Sequence, residues 1–202
     1  CAKCGTSLAK HELEYKNVSE TSIFLKFKVS GKEKEYLVIW TTTPWTIPFN
    51  LGIMVNPDLE YVRAKVDDEV WIVAKGLAGG LIHFVAQKEF TVIEEFLGDK
   101  LEGMHYIHPL EEELKKEFSD LRKKSKKIHS VVMSSEFVTL GAGSGLVHMA
   151  PGCGPEDYEI GHREGIPPFN ELNEAGVFKE SMGGFSGWRA KKHDKKFIEY
   201  LD

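Results

Sequence analysis

Cysteine is scarce in this sequence, with three in 202 residues, too few and too unevenly spaced for a disulfide framework. That scarcity suits a reducing compartment. No apolar run is long enough to cross a bilayer, and the opening Cys1-Ala2-Lys3-Cys4-Gly5 has neither signal-peptide nor transit-peptide character. A soluble, cytoplasmic, monomeric protein with no membrane partner is the expectation. Positive charge is short as well. The formal balance of −5 works against a free-standing nucleic-acid binder, because neutralising phosphates takes clustered Lys and Arg.

Several catalytic signatures are also missing. There is no His-Glu-x-x-His, no Gly-x-Ser-x-Gly, no Walker loop and no Gly-x-Gly-x-x-Gly after a strand. Metal-assisted hydrolysis, serine hydrolase chemistry and nucleoside-triphosphate use therefore lose support. With no internal repeat, low-complexity tract or dividing linker, residues 1–202 are expected to form one domain. Its apolar share of 42% and charged share of 28% are ordinary for a single globular core. Residues 1–20 are expected to be the edge of a linker or zinc knuckle: Cys1-x-x-Cys4 is half of a four-cysteine site, with no second pair downstream. A structural zinc there would have to be shared with cysteines outside this chain.

What is present reads as many short strands with a few helices. Ile23, Leu25, Phe27 and Val29 alternate with polar residues, and a Gly31-Lys32 break leads to Tyr36–Trp40, which predicts a hairpin. Further strands are expected at Gly52–Val55, Tyr61–Val66, Val70–Ala74, Phe90–Phe96, Ile128–Met133 and Gly145–Met149, with a turn at Asp67-Asp68. Helices are expected over Lys75–Gln87, over Glu111–Lys127, from Pro155, and from about Ala190 to the end. The fold class that follows is strand-dominated mixed α/β, a β-barrel core decorated by peripheral helices. Glu111–Lys127 carries enough Lys and Arg to meet phosphates, but its five acids equally suit a solvated amphipathic face.

Three stretches carry the candidate chemistry. Trp40-Thr41-Thr42-Thr43-Pro44-Trp45 puts hydroxyls where a proline forces the chain out of the sheet, leaving side-chain and main-chain polar groups free to bind. Strand-favouring threonines between two core tryptophans would explain the same residues. Gly143–Pro155 delivers His148 on a short apolar strand just before a Gly- and Pro-rich turn, as a ligand-facing rim would. A hydrogen-bonded structural histidine fits as well. Glu156-Asp157 follows Pro155 as a helix start, where carboxylates are stabilised by the dipole; one of them could also face a cationic ligand group.

The peptide Trp40–Pro48, the following Asn56-Pro57-Asp58-Leu59-Glu60-Tyr61, the Gly143–Asp157 stretch with Tyr158, Leu101-Glu102-Gly103-Met104-x-Tyr106, and Ala175–Phe178 together resemble the editing domain of the isoleucyl-tRNA synthetase family, a class I synthetase insertion, over nearly the whole chain. Two features depart from many members. Cys153 stands where His or Phe is usual, so it inherits no role, and the long Glu111–Lys127 stretch suits an archaeal or eukaryotic type.

The resemblance implies hydrolysis of valine wrongly esterified to tRNA(Ile), with the 3′ end of that tRNA and the remainder of a synthetase as partners and no cofactor for editing. One methylene is too little for a single pocket to exclude, and isoleucyl-tRNA synthetase is the standing example of this argument. By resemblance, Thr41, Thr42 and Thr43 with Trp40 would hold the terminal adenosine and ester, beside Trp45. Asp157 would pair with the α-ammonium, and His148 would wall the pocket against isoleucine. A positioned water, helped by a ribose hydroxyl, is the expected nucleophile. Two alternatives stay open: a conventional hydrolase in which His148 activates a threonine, and an RNA-binding module without catalysis.

Overall fold

The computed structural model describes residues 6–202 except 13, 15, 16 and 18. In chain order its strands are β1 (Ile23–Val29), β2 (Glu35–Thr41), β3 (Gly52–Val55), β4 (Glu60–Val66), β5 (Glu69–Ala74), β6 (Phe90–Leu97), β7 (Tyr106–Ile107), β8 (Ser130–Met133) and β9 (Leu146–Met149). The helices are α1 (Lys75–Ala78), α2 (Lys115–Lys124), α3 (Pro155–Glu164) and α4 (Asp194–Leu201). The β1–β2 hairpin turns at Gly31, whose φ of 75° lies in the region open to a residue without a Cβ.

All the strands join one mixed sheet ordered β6-β4-β5-β2-β9-β3-β8, with β1 on the other edge of β2 and β7 beside β1. It curls into a half-barrel with helices around it, as the sequence led us to expect. β2 is the junction. Its first residues pair in parallel with β5, from Glu35↔Val70 to Leu37↔Ile72, and Trp40 then pairs with Val147 of β9. One edge thus serves two strands in succession, and the sheet opens where the threonine peptide leaves it.

Alternation along β2 places Leu37 and Ile39 in the main core and Val38 in a second apolar cluster on the opposite face. Thr41 follows the Leu37–Ile39 side and is buried, because strand residues two apart share a face.

Three expected helices are shorter than their sequence pattern. The helix expected from Lys75 to Gln87 is α-helical only to Ala78 and winds as a π-helix over Gly79–Val85. Ala78, Leu81 and Ile82 enter the second cluster and Phe84 is left exposed, the i, i+3, i+4 face that the sequence pattern presents. In the expected Glu111–Lys127 helix, residues 111–114 form turns, and the end comes at Ser125, which adopts extended geometry. Only Phe118 and Leu121 anchor that helix in the core, and the lysines beyond Arg122 offer nothing apolar to extend it. At the C-terminus the helix begins at Asp194, after the left-handed Lys191.

Candidate active site

Pro44 ends β2 and opens a 3-10 turn, Pro44–Phe49, that buries Thr46, Ile47 and Phe49. Asn50 closes it with its N–H on the Ile47 carbonyl. β9 arrives from the other side, antiparallel to β3 with His148 opposite Ile53. The 3-10 turn and β9 therefore set Thr46 and Asn50 against the two ring nitrogens of His148.

The loop before β9 is pinned for this approach. Gly145 has a φ of 77°, and a Cβ there would lie 2.2 Å from that of Ala74. Its carbonyl accepts the buried Tyr61 hydroxyl at 2.7 Å, and the Ser144 carbonyl accepts the Ala74 N–H at 2.8 Å. Gly143, with φ of 80°, lies so close to Trp40 that a Cβ would sit 3.1 Å from the indole.

A continuous polar chain runs through the site. Thr41 Oγ1 accepts the Thr43 N–H at 3.0 Å and lies 3.2 Å from Thr43 Oγ1, which is in turn 3.2 Å from Thr46 Oγ1. Thr46 donates its hydroxyl to the Thr43 carbonyl at 2.7 Å, and its Oγ1 is 2.8 Å from His148 Nε2. On the far side Asn50 Nδ2 donates to the Gly52 carbonyl at 2.8 Å and lies 3.1 Å from His148 Nδ1. The Tyr106 hydroxyl donates to Asn50 Oδ1 at 2.5 Å.

This network assigns the tautomer of His148. The Gly52 carbonyl can only accept, which makes the contacting Asn50 atom the amide nitrogen; that nitrogen then donates to Nδ1. The ring proton therefore sits on Nε2 and points at Thr46. Burial alone lowers the His148 pKa to about 4, so the ring is neutral near pH 7. With Nδ1 occupied and Nε2 protonated, His148 has no free lone pair to take a threonine proton, and it contacts Thr46 rather than Thr41, Thr42 or Thr43. The geometry therefore speaks against the conventional hydrolase alternative.

Asp157 lies in the first turn of α3, where its Oδ2 accepts the Ala150 N–H at 3.0 Å. Burial raises its pKa, and the Ala150 bond opposes that rise. An incoming cation would relieve the cost of holding this carboxylate charged.

A cavity of about 370 Å³ is lined by Trp40, Thr41, Thr42, Thr43, Trp45, Thr46, His148, Cys153 and Asp157 among others. Every expected site residue outside the N-terminus is thus brought to one place. Thr42 is exposed, Thr43 half-buried, and Thr41, Thr46 and His148 are buried. Cys1 and Cys4 lie outside the described residues. Cys153 is at the cavity edge with Asn170 Nδ2 3.7 Å from its sulfur; burial and neighbouring Asp157 push its thiol up to about 12, so it is no nucleophile near neutrality. The Trp45 indole N–H is buried and has no partner among the described residues.

A larger depression of about 640 Å³ borders Ser30, Tyr106, Arg122 and His129. Its guanidinium is already held by Glu111, and none of the expected residues faces it.

Thr46, Asn50 and Tyr106 are site residues that sequence reasoning missed. Thr46 stands inside the quoted peptide but two residues past the proline, where a strand reading puts no order. Asn50 carries one faint signal, an amide immediately before a fully buried strand. Tyr106 stood within a stretch that carries the family resemblance but was given no role, and its hydroxyl meets Asn50 only in the folded chain.

Among known proteins, the isoleucine–tRNA ligase of Pyrococcus furiosus is 43% identical over 207 residues, covering 100% of this chain and 19% of the relative. That of Methanocaldococcus jannaschii is 41% identical over 213 residues, covering 100% and 20%. The chain belongs to the isoleucine–tRNA ligase family. It spans about a fifth of the length of these family members. No protein-family model matches it. The solved structure of GlLeuRS-CP1 superposes with a TM-score of 0.66 at 17% identity, over 89% of this chain and 94% of that one. A Plasmodium falciparum cytosolic leucyl-tRNA synthetase editing domain gives 0.51 at 11%, over 90% and 80%. At such identities the likeness is one of fold, and that fold is the synthetase editing domain.

Proposed function

We propose that this domain hydrolyses valine wrongly attached to tRNA(Ile) and spares isoleucine. The observation that carries the reading is the convergence of three threonines, a neutral histidine and one carboxylate on a single cavity. Asp157 receives the α-ammonium, and the cation offsets the carboxylate's burial. Thr41, Thr42 and Thr43, with Trp40 and Trp45 beside them, hold the terminal ribose and ester. His148, fixed by Asn50 and Thr46, forms the wall met by a larger side chain.

Water attacks the ester carbonyl carbon, the bond from that carbon to the ribose oxygen breaks, and the water proton passes to the ribose oxygen. Neither a threonine nor His148 supplies a base, so the rate rests on positioning and on donors facing the developing oxyanion. The scheme draws on no cofactor. The partners in this reading are the tRNA 3′ end and the rest of a synthetase, with the chain acting as a cytoplasmic monomer.

The test is release of radiolabelled amino acid from valyl-tRNA(Ile) and isoleucyl-tRNA(Ile) mixed with the chain. Selective loss of valine supports the reading. Binding of both RNAs without release would leave an RNA-binding module instead.

A further inference from the structure

A second cavity lies on the adjoining face of α3. It encloses about 240 Å³, lined by Lys124, Tyr158, Gly161, His162, Ile166 and Pro167 among others. Tyr158 is 51% exposed despite its aromatic ring, which is 6.2 Å from that of His162 and tilted only 31° from it. These two rings form one wall of a slot. Gly161 helps shape its floor: a Cβ there would come within 2.8 Å of Pro151 and 3.2 Å of the Ile166 carbonyl oxygen.

Lys123 pairs with Asp120, Lys127 with Glu164 and Arg122 with Glu111, whereas Lys124, which lines the slot, makes no ion pair among the described residues, as is also the case for Lys116 and Lys126. A flat aromatic wall beside an unneutralised ammonium is the chemistry that takes an unpaired nucleobase together with its phosphate. The slot and the candidate active site are served by the same helix. Asp157 faces the first cavity and Tyr158 the second, from successive residues of α3 whose Cα atoms are about 3.8 Å apart.

We infer that this slot receives the base next to the terminal nucleotide of the same RNA, stacked on Tyr158 with its phosphate toward Lys124. The inference rests on the editing reading for the identity of the RNA. A strand whose last nucleotide carries the ester to Asp157 has its preceding nucleotide passing Tyr158, so the slot guides the end into the cavity and takes no part in the hydrolysis.

The experiment uses the full chain with tRNA(Ile) carrying 2-aminopurine at the penultimate position, a base whose fluorescence is quenched on stacking. Quenching on binding is expected for the wild type and for Tyr158→Phe, and its loss for Tyr158→Ala. Alongside it, KM for mischarged tRNA should rise about tenfold in Tyr158→Ala with kcat unchanged, while hydrolysis of valyl-adenosine, which lacks the preceding base, stays at the wild-type rate. Lys124→Ala should weaken tRNA binding and flatten its salt dependence. Quenching that persists in Tyr158→Ala overturns the inference, as does an equal loss on tRNA and valyl-adenosine. Quenching without hydrolysis of either substrate by the wild type keeps the slot and rejects the editing reading.

Discussion

Asn50 and His148, ninety-eight residues apart in sequence, meet through a single hydrogen bond of 3.1 Å from the amide nitrogen to Nδ1. That bond decides where the imidazole proton sits. Removing it in Asn50→Ala leaves Nδ1 and the Tyr106 hydroxyl without partners in a buried site. The expected cost is about 1–3 kcal/mol, read as a lower urea midpoint. Nitrogen-15 NMR of His148 should then show an Nδ1–H population absent from the wild type. A spectrum of pure Nε2–H in the variant would show that Asn50 does not set the tautomer.

Asp157 is the proposed partner of the substrate α-ammonium. Asp157→Asn keeps the shape and an acceptor for the Ala150 N–H but removes the charge. Deacylation of valyl-tRNA(Ile) should fall by about a hundredfold in kcat/KM, the equivalent of ~3 kcal/mol for a charge-assisted contact. Wild-type activity in that variant would remove Asp157 from the ammonium site.

His148→Ala opens the wall without touching Asp157. The variant should release isoleucine from correctly charged tRNA(Ile) at a rate approaching that for valine. Continued selectivity for valine would mean that other residues form the sieve.

Gly145→Ala combines left-handed backbone with a Cβ 2.2 Å from that of Ala74. A loss of roughly 3 kcal/mol is expected from strain and overpacking together. Gly165→Ala is the control: its φ is similar, 69°, but nothing lies within 4 Å, so only the backbone term of about 1 kcal/mol should remain. Thermal melts of the pair separate crowding from conformation, and equal losses would contradict the crowding.

Acid should unfold the domain through its buried imidazoles. His148 titrates at about 4 in the fold, against an ordinary 6.5, so the unfolded chain takes up this proton first. The contribution of His148 is therefore constant above about pH 6.5, falls between 6.5 and 4, and levels off below that, a loss of roughly 3 kcal/mol from this residue. His129, lowered to about 3 mainly by burial, extends the fall by another unit. Urea midpoints for His148→Gln should be less steep across the same window; an unchanged profile would place the acid sensitivity elsewhere.

Much of the architecture was written in local pattern. β3 spans Gly52–Val55 as expected, and β1, β2, β4, β5 and β6 fall within a residue or so of their alternating or apolar runs, because side chains two apart on a strand must share a face. The threonine peptide, His148 and Asp157 stood out because a proline, a glycine-rich turn and a helix start limit what the backbone can do there. The residue types and their punctuation determined which groups would be chemically available.

Only the tertiary structure decided how those groups are used. Whether Thr43 or Thr46 meets the imidazole depends on the 3-10 turn that opens at Pro44, and which nitrogen keeps its proton depends on the asparagine that closes that turn. The shortened α2 was set by which apolar residues found a core to enter. Local sequence fixes torsions and periodicity within a few residues. Hydrogen-bond partners and desolvation come from atoms distant in the chain, and no local pattern encodes them.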